Sequence, residues 1–125
     1  MYTLSIQKSF VAQHYLIGGD FGPENELHSH PYRIDLRLTG NRLNEHGYLV
    51  DIDEVKSVLS DTVAIFQDTT LNDLPEFRDL NPSLEHFARI FCEKIASALE
   101  TETLEEISVR LWEDESTWAE YTQSL

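Results

Sequence analysis

Little sulfur, few cations and no long apolar run limit what this chain can be. Its 125 residues include one cysteine, Cys92, so no disulfide can form within the chain, and a secreted, disulfide-stapled domain is not supported. Lysine and arginine total 9 against 23 aspartates and glutamates, a formal net charge of −14. A surface so short of cations lacks the basic footprint that nucleic acids and anionic membranes demand, which argues against both as partners. No stretch approaches the length of a membrane span. The opening run Met1-Tyr2-Thr3-Leu4-Ser5-Ile6-Gln7-Lys8 alternates like a strand and lacks the apolar core of a signal peptide. Repeats, low-complexity segments and linkers are also missing. The expectation is one domain over residues 1–125, soluble and cytoplasmic, with a small core that favours self-association.

The apolar residues that are present fall into two periods. Residues 2–16 read as a strand with Leu4, Ile6, Phe10 and Ala12 on one face, and residues 30–40 as another with Tyr32, Ile34, Leu36 and Leu38 inward and Arg33, Asp35, Arg37 and Thr39 outward. Between them the glycines and Pro23 of residues 17–27 indicate a loop, and Asn41 to Gly47 a turn. From Asp51 the period lengthens: Ile52, Val55, Leu59, Thr62 or Val63, and Phe66 mark one helix face, capped by Asp51 or Asp53. Residues 67–80 are irregular. Asn81-Pro82 then reads as a cap followed by proline in the first helical position, opening a helix whose buried stripe is Leu84, Phe87, Ala88, Phe91, Ile95 and Ala98. Cys92 lies beside that stripe as a packing residue. Alternation returns over Leu104 to Glu113 and, briefly, over Thr117 to Thr122. The order is ββααββ, an α+β pattern of antiparallel pairs.

Three histidines stand where these strands carry chemistry. His28 and His30 are two apart and share a strand face, while His14 continues the face of Leu4, Ile6, Phe10 and Ala12. If the two strands pair, three imidazoles converge, and three neutral imidazoles with an open position are the donor set of a catalytic zinc site. Ordinary surface or core histidines are the competing reading. His46, beside Gly47, reads as solvated, and His86 as pointing away from its helix's stripe to the surface. Glu113 ends the apolar alternation Ile107-Val109-Leu111, where a carboxylate is either solvated or waiting for a ligand.

Read in order, Phe-x-Ala-x-His, His-x-His-x-Tyr, Gly-Tyr-Leu-Val-Asp, Leu-Asn-Asp and Asn-Pro-Ser-x-Glu, with a late strand ending in glutamate, resemble the 6-pyruvoyl-tetrahydropterin synthase and 6-carboxy-tetrahydropterin synthase family, from about Phe10 to Tyr121. The resemblance implies the tunnelling fold, a four-stranded antiparallel sheet with two helices on one face, assembled edge to edge as a homo-trimer or hexamer. It implies Zn2+ on His14, His28 and His30, and a dihydropterin substrate such as 7,8-dihydroneopterin triphosphate. The substrate would be anchored by Glu113, with Ser83 in the place of the usual threonine near the pterin pocket.

The chain departs from the family where proton transfer is expected. Glu24 stands where the family carries cysteine, and Phe66-Gln67-Asp68 replaces its Asp-His block. Glu24, and less directly Asp68, are therefore the acid-base candidates, with Glu26 read as a solvated loop acid. Some family members carry glutamate close to the position of Glu24 and are linked to cleavage of the dihydroneopterin side chain, giving 6-hydroxymethyl-dihydropterin. That reaction is one alternative; a metal- and pterin-binding homologue without synthase activity is the other.

Overall fold

A computed structural model describes every residue from Met1 to Leu125. Four strands, β1 (Tyr2–His14), β2 (His28–Gly40), β3 (Glu106–Trp112) and β4 (Trp118–Ser124), form one antiparallel sheet in sequence order. Helices α1 (Ile52–Phe66) and α2 (Leu84–Ala98) intervene between β2 and β3 and share the sheet's core with it. This is the expected ββααββ order. No helix is long and apolar enough to cross a membrane.

The two-residue period does the sorting. Phe10, Ala12, Tyr32, Ile34, Leu36, Leu38, Ile107, Val109 and Leu111 all turn to the helix side and are buried. Their partners are Val55, Leu59, Val63 and Phe66 of α1 and Phe87, Ala88, Phe91 and Ile95 of α2. Both Thr62 and Val63 are buried, so the stripe of α1 takes in both residues that the period left open. At the centre is an aromatic cluster: Phe10 stacks on Tyr32 at 5.3 Å, and Phe87 meets Tyr32 and Phe66 edge-on at 5.2 Å each. Cys92 is fully buried, its thiol facing the Ile107 carbonyl oxygen at 3.6 Å.

Several details correct the sequence reading. β1 stops at His14 rather than residue 16, and β2 starts at His28 rather than 30. β3 is shorter at both ends than expected, and β4 runs on to Ser124. The cap of α2 is Ser83, whose hydroxyl accepts the His86 N–H at 3.2 Å, so Pro82 precedes the helix instead of opening it. Asn81 is used elsewhere, as described below. Ala98 lies exposed at the end of α2, and the stripe closes on Leu99 instead. His86 is half-buried, its Nδ1 within 2.8 Å of the Asn81 carbonyl oxygen, and not a free surface group. Asp35, read as outward and polar, is only 3% exposed; the Ser5 hydroxyl donates to it and Arg37 reaches it at 3.1 Å across the sheet face that the helices leave bare. Asp51, not Asp53, caps α1.

β2 ends at the buried Gly40, where an added Cβ would overlap the carbonyl oxygen of Thr103. Backbone cannot retreat as a flexible side chain can. Gly40→Ala should therefore destabilise the fold by about 1–3 kcal/mol, measured from the urea midpoint at constant slope.

Candidate metal centre

The pairing of β1 with β2 builds the centre. Its register sets Phe10 opposite Tyr32, Ala12 opposite His30 and His14 opposite His28. Alanine at position 12 leaves the space that His30 occupies. The three imidazoles form a near-equilateral group, with ring centroids 4.6 Å (His14–His28), 4.8 Å (His28–His30) and 4.9 Å (His14–His30) apart. The rings meet edge to face, with interplanar angles of 62–82°, and a nitrogen from each lies within 4.8 Å of the others.

A hydrogen bond selects the tautomer of His28. His28 Nδ1 is 2.7 Å from the Glu26 carbonyl oxygen. A carbonyl only accepts, so that nitrogen carries the proton and Nε2 keeps a lone pair. His14 Nδ1 is 2.9 Å from the Tyr32 hydroxyl, the kind of contact that orients a ligating imidazole. His14 is 3% exposed; burial first, then the neighbouring His30 and His28, lower its pKa to about 4. It is neutral across the physiological range, as a ligand must be. Tyr32 is held protonated, its pKa raised by burial and then by the charges of Glu113 and Glu24.

Glu24 joins this group. One donor atom each from His14, Glu24, His28 and His30 all lie within 4.8 Å of one another. The segment that delivers Glu24, between β1 and β2, is tied down by three asparagines. Asn72 accepts the Tyr15 N–H at 3.0 Å and donates to its carbonyl oxygen at 2.9 Å. Asn81 accepts the Ile17 N–H at 2.8 Å. Asn25 accepts from Phe21 N–H at 2.7 Å and donates to the Leu16 and Gly19 carbonyls at 3.0 Å each. Gly18 and Gly22 take positive φ, 84° and 65°, where the loop doubles back. Glu24 therefore sits on a short 3-10 turn, Gly22–Asn25, that is bonded into place. Glu26 is exposed and contributes only its backbone, as expected.

The remaining site candidates divide. Glu113 and Ser83 line one cleft with His14, His30, Glu24 and Glu85, of about 630 Å³, a size suited to a small molecule. Burial raises the Glu113 pKa; His30 opposes the shift, and Asp114, Glu24 and Glu85 add to it. Ser83 also caps α2. Asp68 lies elsewhere: exposed, at φ 59°, its N–H bonded to the Val11 carbonyl on the outer edge of β1. It lines no part of this cleft. Sequence reading missed the asparagine ties, which need the folded loop, and Tyr32 as a partner of His14. The signal for Tyr32 was available, since it continues the strand face of His28 and His30.

These residues suit zinc: imidazole nitrogens and carboxylate oxygens are among its usual donors. The protein should bind one zinc ion per chain by metal analysis, and His28→Ala should abolish binding. Tyr32→Phe, which frees His14 to rotate, should cost roughly 10- to 100-fold in affinity. Without metal, the folded chain binds fewer protons at His14 than the unfolded chain between about 4 and 6.5. Stability should therefore rise with pH across that window. Urea midpoints at pH 5.5 and 7 test this, and His14→Gln should flatten the difference.

Known proteins share the sequence pattern and the fold. The family model for 6-pyruvoyl tetrahydropterin synthase matches residues 3–124. An Archaeoglobus fulgidus protein named "Putative 6-carboxy-5,6,7,8-tetrahydropterin synthase" is 29% identical over 117 residues, covering 94% of this chain and 92% of its own. The Caenorhabditis elegans 6-pyruvoyl tetrahydropterin synthase structure superposes with a TM-score of 0.84 at 22% identity, over 98% of this chain and 96% of that one. A Plasmodium vivax 6-pyruvoyltetrahydropterin synthase, solved as a variant in which a catalytic glutamate is replaced by alanine, superposes with a TM-score of 0.83 at 16% identity, over 99% and 98%.

Proposed function

The chain belongs to the 6-pyruvoyl tetrahydropterin synthase family, and from that we propose that it is a zinc-dependent lyase acting on a dihydropterin with a hydroxylated side chain, 7,8-dihydroneopterin triphosphate or a relative of it. The observation that supports this reading is a cleft lined by His14, His30 and the Glu113 carboxylate, with His28 packed against both histidines. A zinc ion held by His14, His28 and His30 would act there as a Lewis acid toward side-chain hydroxyls.

The chain's own residues account for binding and proton transfer. Glu113 is part-buried, with only charges and desolvation, and no hydrogen bond, acting on its carboxylate. The amino group and ring N–H of a pterin form a two-donor edge that would satisfy both its oxygens and return the hydrogen bonding that burial removed. Ser83, at the cleft wall, offers its hydroxyl proton to the substrate while its oxygen caps α2. Glu24 lines the cleft and would move a proton at the side chain; a glutamate is a catalytic residue in the Plasmodium vivax protein. Asp68, the weaker candidate, would act only at the site of a neighbouring subunit.

Such a neighbour is expected. The outer edge of β4 is unpaired, and β1 is covered only near Val11 and Gln13 by the segment after α1. Open edges are normally paired or protected, and edge pairing into a cytoplasmic homo-trimer or hexamer would do so.

One observation favours the side-chain cleavage alternative. The cleft is lined by Glu24, Glu85, Glu113 and Asp114 and by no lysine or arginine. A triphosphate would need cations from another subunit; an uncharged dihydroneopterin side chain would not. Incubating zinc-loaded protein with each substrate and weighing the products separates the two. A pyruvoyl- or carboxy-tetrahydropterin supports the synthase reading, and 6-hydroxymethyl-dihydropterin the cleavage reading. No turnover of either would leave a pterin-binding homologue. Glu113→Gln, which replaces one acceptor by a donor, should raise KM by about 10- to 100-fold with zinc content unchanged.

A further inference from the structure

We propose that Glu24 is itself a ligand: a fourth donor that closes the metal centre in the resting protein and must swing aside before a substrate side chain can reach it. This rests on the reading of His14, His28 and His30 as a zinc site and adds a bond which that reading does not require.

The argument starts from one contact. Glu24 Oε2 lies 2.8 Å from His28 Nε2. At that distance a hydrogen bond would be expected, yet His28 Nε2 is buried and has no hydrogen-bond partner. The carboxylate oxygen stands off the axis along which an Nε2–H would point. The proton of this ring is already accounted for, since Nδ1 gives it to the Glu26 carbonyl oxygen at 2.7 Å. The Nε2 lone pair and the carboxylate oxygen therefore lie side by side 2.8 Å apart, with no proton between them. With nothing between them that arrangement is repulsive; a cation at the point where both aim makes it attractive. His14 and His30 bring their donor atoms to the same place, for the four are mutually within 4.8 Å. Three nitrogens and one oxygen complete the four-coordinate shell zinc prefers.

The loop shows that this placement is built. The Leu16 N–H donates to the backbone oxygen of Glu24 itself at 2.9 Å. The next residue, Asn25, makes three bonds that hold the turn against the strand end. The backbone is thus fixed while the Glu24 side chain, 52% exposed, stays free to rotate outward. A rigid stem with a mobile carboxylate suits a ligand that has to leave. A vicinal diol offers two oxygens for the one displaced, whereas a single-atom ligand has no such advantage. The centre should accordingly resist simple anions and yield to chelating side chains.

Chelator competition on the full-length chain tests this. Zinc affinity is compared for the parent, Glu24→Gln, Glu24→Ala and Glu26→Gln, with circular dichroism confirming each fold. Removing the carboxylate should lower affinity by roughly 10- to 100-fold, while Glu26→Gln stays within about twofold. A second readout uses cobalt(II) in place of zinc: azide should change the visible spectrum of Glu24→Ala but leave the parent's unchanged. Equal zinc affinity in parent and Glu24→Gln would overturn the proposal and reduce the contact to an ion pair. Azide binding by the parent as readily as by Glu24→Ala would do the same. If the parent takes up no zinc at all, the histidine reading itself falls, a result distinct from loss of the fourth ligand alone.

Discussion

Everything at this centre depends on the register of β1 against β2. Antiparallel strands alternate their side chains, so a slip of one residue would carry every histidine to the opposite face. The aromatic pair Phe10 and Tyr32, stacked at 5.3 Å and buried among Phe87 and Phe91, holds that register. Toward the sheet's end the same face runs on from the aromatic core to Ala12 and His14 on one strand and to His30 and His28 on the other. Core and centre are successive stretches of one stripe, and the Tyr32 hydroxyl at His14 Nδ1 is where they join. A substitution in the core beneath Tyr32 is thus also a change to the geometry of the three histidines.

Charge gives the second constraint. Several of the few cations are already engaged: Arg37 with Asp35, Arg89 with Glu93, Lys94 with Glu76 and Arg110 with Glu120. Arg33 and Arg110 also lie over Trp112 and Trp118, at 4.5 and 3.8 Å from the ring centroids. The most exposed of these ion pairs, Arg89 with Glu93, adds little stability. Their positions do matter, because no positive side chain lines the acidic cleft. A divalent cation is the natural complement to such a field.

Most of the architecture was legible because it is periodic. The two strands that carry the histidines, both helix stripes and the late strand ending near Glu113 were all visible as repeats of two or of three and four. Errors fell where periodicity ends. Asn81 has the composition of a helix cap, yet it is spent on Ile17, and Ser83 does the capping; such a choice depends on a loop 64 residues away. Asp35 alternates outward, but a bare sheet face can still bury a carboxylate when Ser5 and Arg37 close over it. The histidine triad followed from strand faces alone. Glu24 did not, because its approach depends on how Asn25, Gly18 and Gly22 turn the loop. Asp68 matched by alignment with a motif, and the fold leaves it outside its own chain's cleft.

The position of sulfur has a consequence of its own. The one thiol is sealed in the core against the Ile107 carbonyl, and burial raises its pKa to about 11. Thiolate is the form that oxidants attack, so this cysteine is inert on two counts. At the cleft the donors are nitrogen and oxygen only. The centre carries no atom that peroxide converts to a sulfenic acid and none that a disulfide can trap. Oxidants that act through a thiolate therefore find no target among these donors.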